Sequence, residues 1–247
     1  MNRHRLKTTV NKLLITAVAV FVTSISQGQE WDFITWHKLS VGGELVKDFS
    51  LSIEQQVRLN ENSIGLDETF TEIGVGYDLP KGFDLSGAYR LAWGQNDDRS
   101  FKTSHRYNID LSYSKKVWKF GTKIRARFQH RPSPSLSNER LETESSPVFV
   151  RLKGSLYYRK LGDWKPGIEF ETFIRVEDPN EMGAKKFRYR VFVDYDLPKR
   201  QELGLFYMLQ TDHFGKTPEF VSIVGINYSY EWKRPKKKKK KKDKDKK

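Results

Sequence analysis

Charged residues recur at every second position in three short stretches of this chain. Two stretches are basic and one is acidic: Lys123, Arg125 and Arg127; Arg188 and Arg190; Glu169 and Glu171. A guanidinium donates two parallel hydrogen bonds to a carboxylate or a phosphate, so such ladders bind anions or form ion pairs with acidic neighbours. Alternate side chains of a β-strand point to the same face, so each ladder would present its charges on one side.

The segments around these ladders alternate with the same period of two. In RYNIDLSY, for example, Arg106, Asn108 and Asp110 occupy one set of positions, and the intervening positions are apolar. Such alternation is typical of a strand with one polar and one apolar face. No segment after Gln29 has a convincing helical period, so the sequence predicts an all-β fold.

Strand length and connection length together predict the architecture. Segments of about ten to thirteen residues, long enough to cross a bilayer as strands, are joined alternately by tight turns, such as Pro80-Lys81-Gly82 and Lys115-Lys116, and by longer polar loops. This plan predicts a transmembrane antiparallel up-and-down β-barrel of about 10–12 strands. A soluble β-sandwich is the alternative, but its strands are usually shorter, at about 5–6 residues.

The exact strand number is open between ten and twelve. Eleven segments alternate clearly, whereas single-chain bacterial barrels have even numbers of strands. A short extra strand at Trp31–Trp36 would give twelve, which we favour, and one wrongly assigned segment would leave ten.

Aromatic residues near the strand ends are expected to mark the membrane interfaces, where Tyr and Trp concentrate. On the apolar face they are Trp93, Tyr113, Trp118, Trp164, Tyr195, Tyr228, Tyr230 and Trp232. Gly225 followed by Tyr228 and Tyr230 is also similar to the β-signal through which the barrel assembly machinery recognises its substrates. Outer-membrane lipid and that machinery are therefore the first expected partners.

The net charge of +14 belongs to the two ends of the chain. Residues 1–28 hold four basic residues, residues 233–247 hold twelve basic and two acidic ones, and residues 29–232 hold 29 of each sign. A neutral body does not favour a nucleic acid partner. The basic start, apolar run and small residues of 1–28 predict a cleaved signal peptide, which leaves 29–232 for the barrel.

The Lys-rich tail, residues 233–247, follows the last strand. A block of like charges is usually a solvated, disordered extension, and here it would hang in the periplasm. Its lysines are expected to attract anionic periplasmic polymers or lipid headgroups.

The polar face of the strands predicts the lining of the lumen. By parity, the inward basic residues are Arg58, Arg90, Arg106, Lys123, Arg125, Arg127, Arg151, Lys153, Arg159, Arg175, Arg188 and Arg190. The inward acidic residues are Glu54, Glu68, Glu72, Asp84, Asp110, Glu169, Glu171, Asp194, Asp196 and Glu202. Two interpretations stay open: the charges fill the lumen as a structural network, or the ladders line a narrow passage for small anions.

Within that lining, ten residues are the candidates for solute contact. They are Arg58, Arg90, Arg106, Lys123, Arg125, Arg127, Arg188, Arg190, Glu169 and Glu171. A third interpretation places function in the loops, as in a scaffold or adhesin, with residues 131–146 as the longest loop.

Patterns for catalysis and metal binding are weak. The residues considered for a membrane hydrolase are Asp97, Asp98, Asp212, His213, His130, Ser133 and Ser135. Asp212 and His213 are adjacent, so on a regular strand they would point to opposite faces. The five histidines have no metal-ligand spacing. The sequence therefore predicts no enzyme, no catalytic residue, no metal and no cofactor.

Four stretches resemble a known family: SLSIEQQVRLNEN, SHRYNIDLSY, KIRARFQHR and FRYRVFVDYDLPKRQELGLFYMLQ. They are similar to the domain of unknown function 2490 family of outer-membrane barrels, over most of residues 31 to 232. The resemblance implies a barrel and an exported location, and it implies no activity. The sequence as a whole predicts a porin-like protein of a Gram-negative outer membrane.

Overall fold

The computed structural model describes residues 33–60, 64–95, 100–132, 146–177, 182–212 and 219–232. These ranges contain eleven strands: β1 Phe33–Val46, β2 Phe49–Asn60, β3 Gly65–Asp78, β4 Phe83–Gln95, β5 Phe101–Val117, β6 Phe120–His130, β7 Val148–Tyr158, β8 Trp164–Arg175, β9 Gly183–Leu197, β10 Gln201–Asp212 and β11 Glu219–Trp232. The described part of the chain includes no helix long and apolar enough to cross a membrane. The predicted signal peptide and Lys-rich tail lie outside these ranges.

The eleven strands form a closed barrel in which consecutive strands are neighbours. Their period of two sorts the side chains between the outside and the inside. On β5, Ile109 and Leu111 are 59% and 47% exposed, whereas Asn108 and Asp110, which alternate with them along the strand, are 2% and 7% exposed. The apolar face therefore points outward and the polar face inward, as the alternation predicts.

The barrel closes through one parallel pair. β1 pairs with β2 in the antiparallel sense and with β11 in the parallel sense, from Phe33 opposite Ser222 to Gly43 opposite Trp232. In a closed ring with an odd number of strands, the strand direction cannot alternate all the way round. One neighbouring pair must therefore be parallel. The predicted range of strands is confirmed, but the preference for twelve is wrong, because residues 33–36 are the start of β1 itself.

The register shows that the strands are tilted relative to the barrel axis. In one direction from Trp36, the partners lead through Arg58, Glu68 and Gly94 to Lys102 on β5. In the other direction they lead through β11 and the five strands before it to Lys116 on β5. The two ends of this path are 14 residues apart (116 less 102), and such a stagger requires tilted strands.

Short turns occupy one rim of the barrel, which we call the turn rim, and longer connections occupy the other, the loop rim. Non-glycine residues with positive φ mark the turns: Asp48, Lys81, Trp118, Lys199 and Arg200. The sequence suggests a turn at Lys115-Lys116. That suggestion is wrong, because both residues extend β5 and the chain reverses at Trp118 and Lys119.

A glycine on β11 makes room for an aromatic ring of β10. Gly225 lies directly opposite Phe206, and a Cβ at position 225 would overlap that ring and lie 2.9 Å from the carbonyl oxygen of Trp36. Phe206 packs with Met208 and Ile223, and Trp36 adjoins this cluster. An apolar patch therefore lies inside the barrel beside the closing pair.

Candidate functional site

All ten residues predicted to contact solute lie on the inner wall, where each lines one of two cavities. The larger has a volume of about 520 Å³ and is lined by nine of the ten, all except Lys123. The second has a volume of about 410 Å³, and Lys123 lines it together with Lys116 and Lys165. The parity of the strands thus places these side chains correctly, and their contact with a solute stays a prediction.

The two cavities meet at one acidic and one basic residue. Glu169 and Arg190 line both of them. Glu169 Oε2 is 3.0 Å from Lys153 Nζ, and its Oε1 is 3.7 Å from Arg190 Nη1. These three side chains therefore lie where the two cavities adjoin.

Glu171 connects the two predicted ladders. Its carboxylate accepts a hydrogen bond of 2.6 Å from Arg125 Nη2 on β6 and bonds of 2.8 and 2.9 Å from Arg151 Nη2 on β7. Arg188 Nη1 on β9 is 3.8 Å from the same carboxylate. Glu171 is only 4% exposed, so three guanidinium groups share one buried anion.

Two other carboxylates also form close hydrogen bonds with arginines. Arg127 donates from Nε and Nη2 to the two oxygens of Asp110, both at 2.6 Å. Arg90 Nε donates to Glu72 at 2.8 Å. Two parallel charge-assisted bonds fix the plane of a guanidinium as well as its position, so the Arg127 side chain is strongly oriented.

Positive charge dominates the larger cavity. Thirteen Lys and Arg side chains and four carboxylates line it. Four further carboxylates pair with lining residues from outside the cavity: Glu68, Asp110, Glu177 and Asp212. Counted over the described residues, thirteen basic groups against eight acidic ones leave a surplus of five positive charges at this cavity.

The register places like charges directly opposite each other on this wall. Arg90 faces Arg106 across β4 and β5. Across β6 and β7 the opposed pairs are Arg125 with Lys153 and Arg127 with Arg151. Directly opposed like charges destabilise a sheet. Three such basic pairs lie on the lining of one cavity, together with one acidic pair, Glu54 opposite Glu72.

Inward aromatic rings support several of the guanidinium groups, and the sequence reasoning missed them. The Cζ atom of Arg58 is 4.1 Å from the ring centroid of Trp36, and that of Arg90 is 3.4 Å from the centroid of Phe70. Arg151 lies over Phe173 at 4.1 Å. A cation over an aromatic face is favourable, most of all when both are desolvated.

A signal for these rings does exist in the sequence. Phe70 has the same parity as Glu68 and Glu72, and Trp36 the same parity as Lys38. Strict alternation therefore assigns both rings to the inside, against the usual expectation that barrel aromatics face lipid.

The aromatic residues predicted for the interfaces lie on the outer face near the rims. Trp93 is near the loop rim, and the other seven are at or near the turn rim: Tyr113, Trp118, Trp164, Tyr195, Tyr228, Tyr230 and Trp232. Tyr113 packs on Phe83 with ring centroids 4.8 Å apart, and Trp164 packs on Tyr195 at 4.6 Å. Their contact with lipid stays a prediction.

Within the described ranges, the structure does not bring together the residues considered for a hydrolase. Asp97, Asp98, Ser133, Ser135 and His213 lie outside the described ranges. Asp212 is 3.2 Å from Lys186 Nζ and accepts a hydrogen bond from Gln210. Among the residues with a described position, no group of His, Cys, Asp and Glu is placed to hold a metal ion.

A closed barrel with an apolar outside and an ionic inside defines the class of this protein as a β-barrel of the membrane type. Within that class, the family described as protein of unknown function (DUF2490) matches residues 33–220, and the chain belongs to this family. The suggested family resemblance is thereby confirmed. No curated protein matches the chain.

Solved structures with a similar fold include the β domain of the Bordetella autotransporter BrkA. It is 10% identical, with a TM-score of 0.43, over 72% of this chain and 82% of that one. A second is a chain from work on the mechanism of in-meso crystallization of membrane proteins, with 9% identity and a TM-score of 0.38. That match covers 73% of this chain and 71% of the other.

Proposed function

We propose that this protein is an outer-membrane β-barrel whose lumen binds small anionic solutes and lets them pass. The location follows from its surface: large apolar side chains such as Ile109 and Ile124 are 59% and 62% exposed on the outer face. Such an outer surface is stable only against lipid or another apolar partner. The predicted signal peptide and the aromatic side chains near both rims support an exported membrane protein.

A lysine in the middle of the outer face tests the membrane location. Ile109→Lys is expected to lower the free energy of unfolding from lipid vesicles by about 2–4 kcal/mol, because a cation is costly at the bilayer midplane. Ile64→Lys is the control, since Ile64 is 88% exposed beside the first long loop and should change stability by less than about 1 kcal/mol. Urea titration of the folded protein in vesicles measures both. Equal effects of the two substitutions would contradict the membrane location.

The surplus of positive charge in the larger cavity carries the assignment of anions. Rings of charged side chains set the selectivity of pores, and here basic residues outnumber acidic ones by thirteen to four on the lining. The ion-paired side chains of Lys153, Glu169 and Arg190 lie where the two cavities adjoin, and we expect them to limit passage to small solutes. The proposal assigns no catalytic activity to the barrel.

Conductance across a planar lipid bilayer tests the passage of anions. The protein is expected to give discrete conductance steps, and their reversal potential should indicate a preference for chloride over potassium. Arg125→Ala with Arg127→Ala should shift that potential toward cation preference, since it removes two positive charges and releases Asp110 from its bidentate partner. Lys81→Ala with Lys199→Ala, which removes two charges at the turn rim, is the matched control and should leave selectivity unchanged.

A structural network is the second candidate function of the lumen. The observation in its favour is the set of buried ion pairs around Glu171 and Asp110. This candidate predicts a silent bilayer and a loss of stability in the Arg125→Ala with Arg127→Ala variant. A silent bilayer would therefore overturn the proposed passage of anions.

A further inference from the structure

Five buried hydrogen-bond donors on the lining of the larger cavity have no acceptor among the described residues. They are Trp36 Nε1, Arg58 Nε, Arg106 Nε, Arg125 Nε and Arg190 Nε. A buried donor without a partner costs free energy, and native structures rarely tolerate several at one place. All five belong to residues that line one cavity, so this lining is short of hydrogen-bond acceptors.

Arg106 is the least compensated of these groups. Its residue is only 8% exposed, and its one described ion pair, Nη2 to Glu68 Oε1, spans 3.7 Å. Glu68 is held more closely by Arg58, whose Nη1 donates at 2.5 Å. Arg106 also lies directly opposite Arg90. An oxyanion beside Arg106 would offset part of the positive charge of this pair.

The five donors come from five different strands, and we divide them into two groups. Trp36, Arg58 and Arg106 belong to strands β1, β2 and β5, and we call them the first donor group. Arg125 and Arg190 belong to β6 and β9 and form the second donor group. A single small oxyanion has too few oxygens to satisfy all five donors.

The cavity volume also exceeds what an inorganic ion requires. About 520 Å³ falls within the range of about 300–1,000 Å³ that is usual for sites of organic ligands. Donors dominate the lining and carboxylates are few, so the ligand must offer acceptors rather than donors.

We infer that the larger cavity is a binding site for a multivalent oxyanion, a polyphosphate or an organic molecule with two or more phosphate or carboxylate groups, that bridges the two donor groups. This inference rests on the proposed preference of the lumen for anions and names the class of solute. Each donor group takes one anionic end of the ligand, and the aromatic rings hold the guanidinium groups in place.

Calorimetric titration of the folded barrel in detergent with phosphate, pyrophosphate and tripolyphosphate tests this inference at constant ionic strength. Tripolyphosphate is expected to bind at least tenfold more tightly than phosphate. Arg106→Gln and Arg190→Gln each remove one of the two guanidinium charges of a donor group, and each should abolish this preference. Arg200→Gln, at the turn rim, is the matched control and should retain it. The same series with acetate, succinate and propane-1,2,3-tricarboxylate separates phosphate from carboxylate ligands.

Equal affinities for phosphate and tripolyphosphate, with no preference in the carboxylate series, would overturn the inference. So would retention of the preference in both Arg106→Gln and Arg190→Gln. Arg106→Lys keeps the charge without the forked donors, so it separates loss of folding from loss of the site; it should fold and should still lose at least part of the preference. Binding without conductance would reject only the passage of anions, and conductance without binding would reject only this site.

Discussion

Replacing Glu171 by glutamine is expected to lower the free energy of unfolding by about 3–5 kcal/mol, the usual loss when one partner of a buried ion pair is removed. Glu171 is the shared acceptor of Arg125 and Arg151 and lies 3.8 Å from Arg188. A glutamine amide has the same shape but no charge, so three guanidinium groups would remain close together without their common anion. Urea unfolding of the refolded barrel in vesicles measures the loss.

Glu202→Gln is the matched control for this substitution. Glu202 also contacts a basic residue, Lys165, at 3.0 Å, but its side chain is 39% exposed and Lys165 keeps Asp196 at 2.6 Å. An exposed ion pair contributes about 0–1 kcal/mol. Equal losses for Glu171→Gln and Glu202→Gln would contradict the role of Glu171 as the centre of the buried network.

The same substitution separates the two candidate functions of the lumen. Glu171→Gln adds one net positive charge to the lining of the larger cavity. If anions pass through the lumen, the variant that folds should prefer anions more strongly than the native protein in the planar bilayer. A purely structural network predicts lower stability and no conductance in either protein.

The orientation of side chains could be predicted from the sequence because it depends only on position along each strand. One assignment, apolar outside and polar inside, places Arg125, Arg127, Arg188 and Arg190 correctly. The period of two is a property of the strand itself, so no information about neighbouring strands is needed.

The sequence displays eleven alternating segments, and only the expectation of an even number led to the preference for twelve. The closure of the barrel and the pairing of charges depend on register, which the sequence does not display. Closure by a parallel β1–β11 pair is a relation between the two ends of the barrel, and no local pattern in either strand indicates it. The opposition of Arg90 to Arg106 likewise follows from the β4–β5 register. The sequence therefore predicts which residues face the lumen, whereas the structure is needed to find which of them meet.

The turn at Trp118 shows a third limit of sequence reasoning. Lys115-Lys116 looks like a turn because both residues are polar, but these lysines pair with Thr122 and Gly121 as part of the ladder. Trp118 instead adopts φ of +50°, which is uncommon for a bulky residue. Tertiary pairing overrides the local preference here.

Replacing Gly225 by valine is expected to prevent stable closure of the barrel. A Cβ at this position would overlap the ring of Phe206 and lie 2.9 Å from the carbonyl oxygen of Trp36. Phe206 packs with Met208 and Ile223, so displacing the ring would disturb that cluster, and the carbonyl belongs to the backbone of β1. We expect a loss at or above the upper end of the about 1–3 kcal/mol that is typical of overpacking, measured by urea unfolding after refolding in detergent.

Gly154→Val is the matched control, because a Cβ added at Gly154 has no heavy atom within 4 Å. It should leave stability nearly unchanged, whereas Gly225→Val combined with Phe206→Ala should recover part of the loss. That partial recovery would show coupling between the two positions. Refolding without cellular machinery also separates packing from recognition: if Gly225 acts only in a β-signal, the purified variant should refold like the native protein, and only its assembly in cells should fail.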